Sequence, residues 1–425
     1  MPNPGSPRDA AGPVRRAPVF YGWVLLGASI AIIMVGAGVT FSLAIFLKPL
    51  EEEFGWSRGL ISGIALVNWI VFGIGSFVWG SLSDRIGARR VVLAGAGLLA
   101  LAMLLSSQIT AAWHLYGAFG VLAAAGASGF YVPLSATATR WFAARRGLAV
   151  GLLNSGMGLG ILVVPPLARA LIDLVGWRIT FGLFAGLTVG VALGVLPYIY
   201  DRPADLGLRE YGHGATQGRT AGRAGMTPGE ALRHPALWVL ALVHFGCCLA
   251  HSGPLFHMVT HAIDLGVEKI TAAAMLGLSG ATSIAGRIGA GLLVDRFGGK
   301  PTLVGMLALQ AAILSTYLVA AGPGPLFGTA LLFGVAYGGA MPVYALVARE
   351  FFGERVIGTT FGGIFFISCI GMGLGSYAGG AIFDLLGSYW TMHFASTLVG
   401  AAAIAAGLGL RAPRPAPAPA LAGGR

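Results

Sequence analysis

Two short segments decide how this chain folds: GSLSDRIGARR at residues 80–90 and GLLVDRFGGKP at residues 291–301. Each follows a long apolar run, and their Asp-Arg pairs begin 211 residues apart, at Asp84 and Asp295. Matching features recur at nearly the same separation. They are Pro133 before Arg140 and Pro342 before Arg349, and the segment MGLG at 157–160 and at 372–375. The chain therefore contains a long internal repeat, which indicates two structurally similar halves.

Around these segments, long uncharged runs alternate with short charged islands. The 425 residues are 56% hydrophobic and only 10% charged, with a mean hydropathy of +0.80, whereas about a quarter of a soluble protein is charged. Continuous apolar runs of about 20 residues predict membrane-crossing helices, because strands of an outer-membrane barrel would alternate instead. Twelve such runs are predicted, at residues 20–46, 59–82, 91–109, 113–138, 147–171, 179–200, 236–262, 270–293, 301–321, 325–348, 357–380 and 388–410.

The repeat places runs one to six onto runs seven to twelve. We therefore predict an all-α membrane protein of twelve transmembrane helices in two pseudo-symmetric six-helix halves. Such halves, joined by a polar linker, are typical of membrane carriers that rock around a central site. The predicted segments are a tail at 1–19, a half at 20–200, a linker at 201–235, a half at 236–410 and a disordered tail at 411–425.

The basic residues predict the orientation. Twenty-one of the 27 Lys and Arg residues lie on the side of the tails and linker, five lie on the opposite side, and Arg287 lies within a run. This bias predicts both termini in the cytoplasm, in the inner membrane of a bacterium, and it explains the net charge of +11 without a nucleic-acid partner. All three Cys fall within the runs, and no metal, cofactor or catalytic motif is present, so we expect neither a disulfide framework nor an enzyme.

The first repeated segment resembles the G-x-L-x-D-R-x-G-R-R loop of the major facilitator superfamily, with Ala88 replacing one basic residue. FYGWVLLGASIAI in the first run, RPADLG after the sixth and an Arg within the eighth are similar to the monocarboxylate transporters and the related oxalate:formate antiporters. The resemblance covers nearly the whole chain. It implies a transporter in which Asp84 and Arg85, with Asp295 and Arg296, gate the cytoplasmic face. The alternative is a positively charged turn with no gating role.

Arg287 is the candidate substrate-binding residue. It is the one charge between Lys269 and Asp295, and a mid-membrane charge costs about 2.5–3.5 kcal/mol on insertion scales, so its side chain must face a cavity or a partner. A guanidinium offers two parallel donors that match a carboxylate, and the resemblance places the substrate-binding Arg in the eighth helix. The alternative is an Arg that reaches the cytoplasmic interface.

The rest of the predicted site is weakly polar. Residues 358–380 of the eleventh run contain no Lys or Arg, where oxalate:formate antiporters carry a second cation, so a single cation favours a monoanion such as lactate or pyruvate. Packing inside the bundle is the alternative role for the other candidates. They are Tyr131, Tyr337, Asn154, Cys369, Phe361, Phe365 and Phe366.

Proton coupling departs from the family pattern. Eukaryotic monocarboxylate transporters use a Lys in the first helix and an Asp one turn before the Arg, but residues 21–47 contain no Lys and Ser283 stands four residues before Arg287. The seventh run holds four of the eight His residues, and imidazole titrates near neutrality. We predict His257, then His251, with Asp264 beyond them, as replacements; a structural hydrogen bond is the alternative role for each His.

These observations predict a proton-coupled symporter of small monocarboxylates, L-lactate and pyruvate, that acts by alternating access. Electroneutral exchange of the oxalate:formate type remains open, as do a channel and a membrane sensor. The expected partners are a monocarboxylate anion, a proton and membrane lipid, with no cofactor or metal, and the expected oligomeric state is a monomer.

Overall fold

The computed structural model describes residues 20–142, 146–212, 226–320, 322–353 and 356–413. Helices fill most of these residues, which form no strand beyond an isolated bridge between Phe142 and Tyr211. The helices are α1 Tyr21–Phe54, α2 Arg58–Ile86, α3 Ala88–Ser106, α4 Ala112–Trp141, α5 Arg146–Val195, α6 Pro228–Arg233, α7 Pro235–Asp264, α8 Lys269–Phe297, α9 Gly299–Thr316, α10 Pro323–Phe352, α11 Ile357–Leu386 and α12 Trp390–Gly409. The all-α prediction is confirmed. The tail predicted at 1–19, and residues 414–425, lie outside the described residues.

All twelve predicted runs are helical, but two of them form one element. Helix α5 contains the fifth and sixth runs, which meet at a break where Gly176 has φ 81° and ψ 162°. Nine segments of the described chain are long and apolar enough to cross a membrane, counting α5 once and leaving out α8 and α9. Helix α8 contains Arg287 and several Gly residues, which lowers its hydropathy.

Two features of the structure go beyond the hydropathy pattern. Helix α1 continues past residue 46 to Phe54, because Lys48 and the Glu residues that follow it are good helix formers, and it ends where Gly55 adopts a left-handed conformation with φ 64°. The linker is partly helical, since α6 lies within it. Thr227 and Glu230 form a capping box at its start, with the Thr227 amide donating to Glu230 Oε2 at 2.7 Å.

The repeat is visible in the local geometry after α2 and α8. Gly87 and Gly298, 211 residues apart, both have positive φ, at 88° and 85°, which a residue with a side chain rarely adopts. In each half a carboxylate then accepts a bond from the first amide of the next helix. Ala88 N donates to Asp201 Oδ1 at 2.6 Å, and Gly299 N donates to Glu350 Oε2 at 3.2 Å.

The two halves meet mainly along two helix pairs, α2 with α11 and α5 with α8. The repeat relates these pairs to each other, and it also relates the Gly residues at which they approach closely. A Cβ on Gly158 of α5 would lie 3.1 Å from the carbonyl oxygen of Gly280 on α8, and a Cβ on Gly373 of α11 would lie 3.0 Å from that of Leu66 on α2. The repeated MGLG segment therefore supplies one contact to each side of the interface between the halves.

Candidate substrate-binding site

Arg287 lies at the interface between the two halves. Its Nη1 donates to the backbone carbonyl of Asn154 on α5 at 2.8 Å, and the Asn154 side chain accepts a bond from Tyr131 Oη of α4 at 2.9 Å. All three side chains are half-buried. Within the described residues no carboxylate pairs with Arg287, so most of its donors remain available to a ligand.

Tyr337 of α10 extends this group on the side of the C-terminal half. Its side chain is buried, its hydroxyl has no partner among the described residues, and its phenol interacts electrostatically with Arg287, as does that of Tyr131. The His251 ring stacks on the Tyr337 ring with centroids 5.6 Å apart. Because a carbonyl oxygen only accepts, His251 Nδ1 donates to Cys247 O, at 2.8 Å.

The remaining predicted residues lie on α11. Cys369 and Phe366 pack against Gly73 of α2, where an added Cβ would lie 3.2 Å and 3.0 Å from them. Phe361 and Phe365 contact each other with ring centroids 6.1 Å apart. The structure thus brings Arg287, Tyr131, Asn154 and Tyr337 together, and it places the α11 residues at a separate contact.

Two small cavities share part of their lining near this group. One contains Tyr131, and the other lies between the halves, with Thr40, Phe41 and Trp69 shared by both. The second cavity is lined by two buried polar atoms that have no partner, Asn68 Oδ1 and Ser252 Oγ. Its volume of about 20 Å³ suits a water molecule and is too small for a carboxylic acid. The cavity that contains Tyr131 has the same volume of about 20 Å³.

Beyond the second cavity the halves are closed by an ion-pair network, here called the latch: Lys48, Glu51, Arg58, Asp264, Asp384 and Tyr389. The face that contains it, formed by the α1–α2, α7–α8 and α11–α12 connections, is called the sealed face. Arg58 is 3% exposed and forms a two-bond pair with Asp264, with Nη2 to Oδ1 at 3.0 Å and Nη1 to Oδ2. Its Nε donates to Glu51 Oε1 at 3.2 Å, and its guanidinium lies 3.7 Å from the centre of the Phe383 ring.

Further contacts across the halves complete the sealed face. Asp384 at the end of α11 accepts from the first amides of α2, Arg58 N at 3.0 Å and Gly59 N at 2.6 Å, where a helix N-terminus favours negative charge. Lys48 Nζ lies 2.9 Å from Asp264 Oδ1, and Lys269 Nζ lies 3.3 Å from Glu52 Oε1. Asp264, predicted for proton coupling, therefore joins the halves directly.

His257 reaches the latch through Tyr389. Its Nδ1 lies 3.0 Å from Tyr389 Oη, and its Nε2 lies 3.0 Å from the carbonyl oxygen of Ser376. Arg58 Nη1 donates to the same Tyr389 oxygen at 3.0 Å. The predicted proton carrier is thus two hydrogen bonds from the Arg that closes the sealed face.

The predicted gating residues lie at the opposite face. The side chain of Asp84 is outside the described part of the chain, and Arg85, Asp295 and Arg296 are exposed. The ion pairs of Lys48 and Arg58 with Asp264, and of Lys269 with Glu52, join the halves at the sealed face. No group of three His, Cys, Asp or Glu side chains in the described ranges could hold a metal.

Sequence reasoning did not identify Arg58, Asp384 and Tyr389. Arg58 was counted only as a charge outside the membrane, because it stands at the end of an apolar run. A single sequence contains no sign that its backbone amide meets Asp384, 326 residues away. The sequence does contain one indication of their role. Arg58, Asp264 and Asp384 are among the few charged residues that stand next to the ends of apolar runs on the sealed face.

Comparison with known proteins agrees with this architecture. The model of the Major Facilitator Superfamily matches residues 24–376 and 290–425. A crystal structure of a bacterial homolog to the human lysosomal transporter Spinster, in an inward-facing and occupied conformation, superposes with a TM-score of 0.71 over 93% of this chain and 97% of that chain. The identity of 16% shows a shared fold only.

Relatives of higher identity are named as transporters, two of them as monocarboxylate transporters. Monocarboxylate transporter 13 of Bos taurus is 30% identical over 394 residues, which cover 91% of this chain and 88% of the relative. Monocarboxylate transporter 11 of Mus musculus is 28% identical over 82% of this chain and 74% of its own length. An uncharacterized MFS-type transporter of Bacillus subtilis, YcxA, is 26% identical over 82% of this chain and 85% of its own length. The chain is therefore a transporter rather than an enzyme, and it belongs to the major facilitator superfamily, within the monocarboxylate transporter family.

Proposed function

We propose that this protein is a symporter that carries small monocarboxylates, L-lactate and pyruvate, together with a proton by alternating access. The observation that carries the proposal is the state of Arg287. Its guanidinium lies at the interface between the halves, donates a single bond to the backbone of Asn154, and pairs with no described carboxylate. A half-buried cation with unused donors is best satisfied by an anionic ligand.

The neighbours of Arg287 suit a short carboxylate. A guanidinium binds a carboxylate through two parallel bonds, and the hydroxyls of Tyr131 and Tyr337 lie on the two sides of the interface to bond the same group or a 2-hydroxyl. Because α11 has no Lys or Arg in residues 358–380, the site supplies one cation, which matches one carboxylate. Along α11, the substrate would be enclosed by Cys369, Phe366, Phe365 and Phe361.

The charge of the substrate explains the proton. An anion that enters against an inside-negative potential loses about 2.3 kcal/mol per 100 mV, and a proton carried with it cancels this cost. His257 is the proposed carrier, with His251 beside Tyr337 and Asp264 in the latch as further members. Ser283, at the family's Asp position, has no carboxylate to carry a proton and donates to Gly280 O of its own helix at 2.7 Å, so the proton site is proposed on α7 instead.

Alternating access would use the two faces in turn. With both termini in the cytoplasm of a bacterial cell, the sealed face is external, and the conformation described here is closed to the outside. The opposite conformation would close the cytoplasmic face through Asp84 and Arg85 and through Asp295 and Arg296. The exposed side chains of Arg85, Asp295 and Arg296 agree with a face that is not closed here. A single chain contains both halves and the whole site, which supports a monomer in the lipid bilayer.

The test is uptake of radiolabelled L-lactate into proteoliposomes. We expect uptake to saturate, to rise with an inwardly directed proton gradient, and to collapse when a protonophore is added. Uptake that ignores the gradient but rises with an internal carboxylate would indicate exchange. Flux that does not saturate would indicate a channel. If no monocarboxylate were transported, a membrane sensor would be the remaining interpretation.

A further inference from the structure

Tyr389 connects two groups that the proposed function uses separately. Its buried hydroxyl lies 3.0 Å from Arg58 Nη1 of the latch and 3.0 Å from Nδ1 of His257, the proposed proton carrier. Arg58 belongs to the N-terminal half, whereas Tyr389 and His257 belong to the C-terminal half. The hydroxyl is thus the point at which the proton carrier meets the interface between the halves.

The hydrogen-bond partners fix the direction of this chain. A carbonyl oxygen can only accept, so His257 Nε2 donates to Ser376 O, and in a neutral imidazole Nδ1 is then the acceptor. Arg58 can only donate, so the Tyr389 oxygen accepts its bond and gives its own proton to His257. The order of donation from Arg58 to Tyr389, His257 and Ser376 requires His257 to be neutral.

A proton on His257 conflicts with this arrangement. Nδ1 would become a donor aimed at an oxygen that already accepts from Arg58, and the imidazolium would place a second positive charge beside the guanidinium. Asp384 is the nearby negative charge on α11, but both of its oxygens already accept the amides of Arg58 and Gly59. The charged and titratable groups that face His257 or lie on its own helix beside the latch are Tyr389, Arg58 of α2, Asp384 of α11, His393 of α12, and His261 and Asp264 of α7.

Two positive charges close together in a buried site repel each other at a high cost in free energy. Separation of α2 from α7 and α11 would reduce this repulsion between His257 and Arg58. We propose that Tyr389 is the positioning residue that couples proton uptake by His257 to opening of the sealed face. The inference rests on the proposed role of His257 in proton coupling. A carrier that holds a proton without substrate is thereby kept open towards the side from which the proton came, which prevents a proton leak.

The experiment measures opening of the sealed face directly. Ala65 of α2 lines the cavity behind the latch and is 3% exposed, so a thiol there reacts with a membrane-impermeant maleimide only when the latch opens. The Ala65→Cys reporter is placed in a chain whose three buried Cys are replaced by Ala. Rates are normalised to a Val319→Cys reporter, because Val319 is 83% exposed and corrects for the pH dependence of thiol reactivity.

With Tyr389 present, we expect the normalised rate to rise about tenfold or more as the pH falls through the range in which imidazole titrates. Tyr389→Phe keeps the ring and removes the hydroxyl, and should lose this pH dependence. Tyr377→Phe on α11, at a position that is 41% exposed, is the matched control and should retain it. His257→Gln mimics the neutral imidazole, because its amide can donate to Ser376 and accept from Tyr389, and should keep the latch closed at every pH.

The outcomes separate this inference from the proposed function. If Tyr389→Phe retains the pH dependence of the parent while His257→Gln abolishes proton-driven lactate uptake, the role of Tyr389 is overturned and that of His257 stands. If His257→Gln retains proton-driven uptake, the proton carrier of the proposed function is wrong. A rate that still rises in acid with His257→Gln would overturn the inference even if Tyr389→Phe failed to fold.

Discussion

Two arginines at the interface between the halves differ in how many of their donors are satisfied. Arg58 gives bonds to the carboxylates of Asp264 and Glu51 and to Tyr389, and its plane lies on an aromatic ring. Arg287 gives one bond, to a backbone carbonyl. A guanidinium has five N–H donors, so Arg58 is almost saturated by the protein, whereas Arg287 keeps most of its donors for another group. This difference supports the proposed roles of Arg58 in closure and of Arg287 in ligand binding.

At Arg287, the shape of the side chain matters as much as its charge. We expect Arg287→Lys to lose most lactate transport and Arg287→Gln to abolish it, with both variants still inserted in the membrane. Lysine is a point donor that cannot form the two parallel bonds. Breaking a buried charge-assisted pair costs on the order of 3–5 kcal/mol, or at least about a hundredfold in affinity. The measurement is initial uptake rate at matched membrane abundance.

The contrary result has a specific meaning. If Arg287 only extends its charge to the cytoplasmic interface, a Lys would do so equally well. Equal uptake by the parent and by Arg287→Lys would therefore remove Arg287 from the binding site, and with it the chemical reason for a carboxylate substrate.

The two arginines also show what one sequence can predict. Arg287 was predicted because it is alone in an apolar run, and isolation is visible in the sequence itself. Arg58 was not predicted, because its role depends on Asp264, 206 residues away. The pairing follows only after the halves are packed together. Tyr131 and Asn154 were predicted as site residues, but their mutual hydrogen bond required the three-dimensional fold.

At the scale of single helices, small residues set the contact between the halves. Gly280 of α8 is the tightest point against α5, where a Cβ would lie 2.8 Å from the Leu162 backbone nitrogen and 2.9 Å from the carbonyl oxygen of Gly158. Backbone atoms cannot rotate away, so any side chain at this position must push the helices apart. The close contact between α5 and α8 therefore depends on the absence of a side chain at Gly280.

We expect Gly280→Ala to destabilise the sealed conformation by about 1–3 kcal/mol, the usual cost of overpacking. Its thermal unfolding temperature in detergent should fall, and maleimide labelling at the Ala65→Cys reporter should rise. Gly291→Ala on the same helix, where a Cβ meets nothing within 4 Å, is the matched control and should change neither. A similar loss of stability in both variants would attribute the effect to helix α8 itself rather than to its contact with α5.

Helix existence was predictable and helix extent was not. All twelve apolar runs became helices because hydrocarbon length and backbone satisfaction dictate them. Helix α1 nevertheless extends beyond the apolar run as far as Phe54, which brings Lys48 and Glu51 into the latch. Hydropathy marks where the apolar run stops, whereas the helix stops at the left-handed Gly55.

For the whole molecule, the internal symmetry and the observed asymmetry have different origins. The repeat gives both halves the same turn at Gly87 and Gly298 and the same type of cross-half helix pair. The ion pairs of Lys48 and Arg58 with Asp264, and of Lys269 with Glu52, join the halves at the sealed face. Ion pairs that hold one face closed can favour one of two similar packings. This is the arrangement that alternating access requires.

If transport requires the sealed face to open, a covalent bridge across it must stop transport. Glu52 and Lys269 form an exposed ion pair between the halves at 3.3 Å, whereas Glu53 and Arg178 form one within the N-terminal half at 2.6 Å. With the native Cys replaced, we expect a short bis-maleimide to reduce lactate uptake more than about tenfold in Glu52→Cys/Lys269→Cys. The same reagent should leave Glu53→Cys/Arg178→Cys active, because that bridge moves with one half. Full uptake by the first pair, with cross-linking verified by mass spectrometry, would show that the halves do not separate at this face during transport.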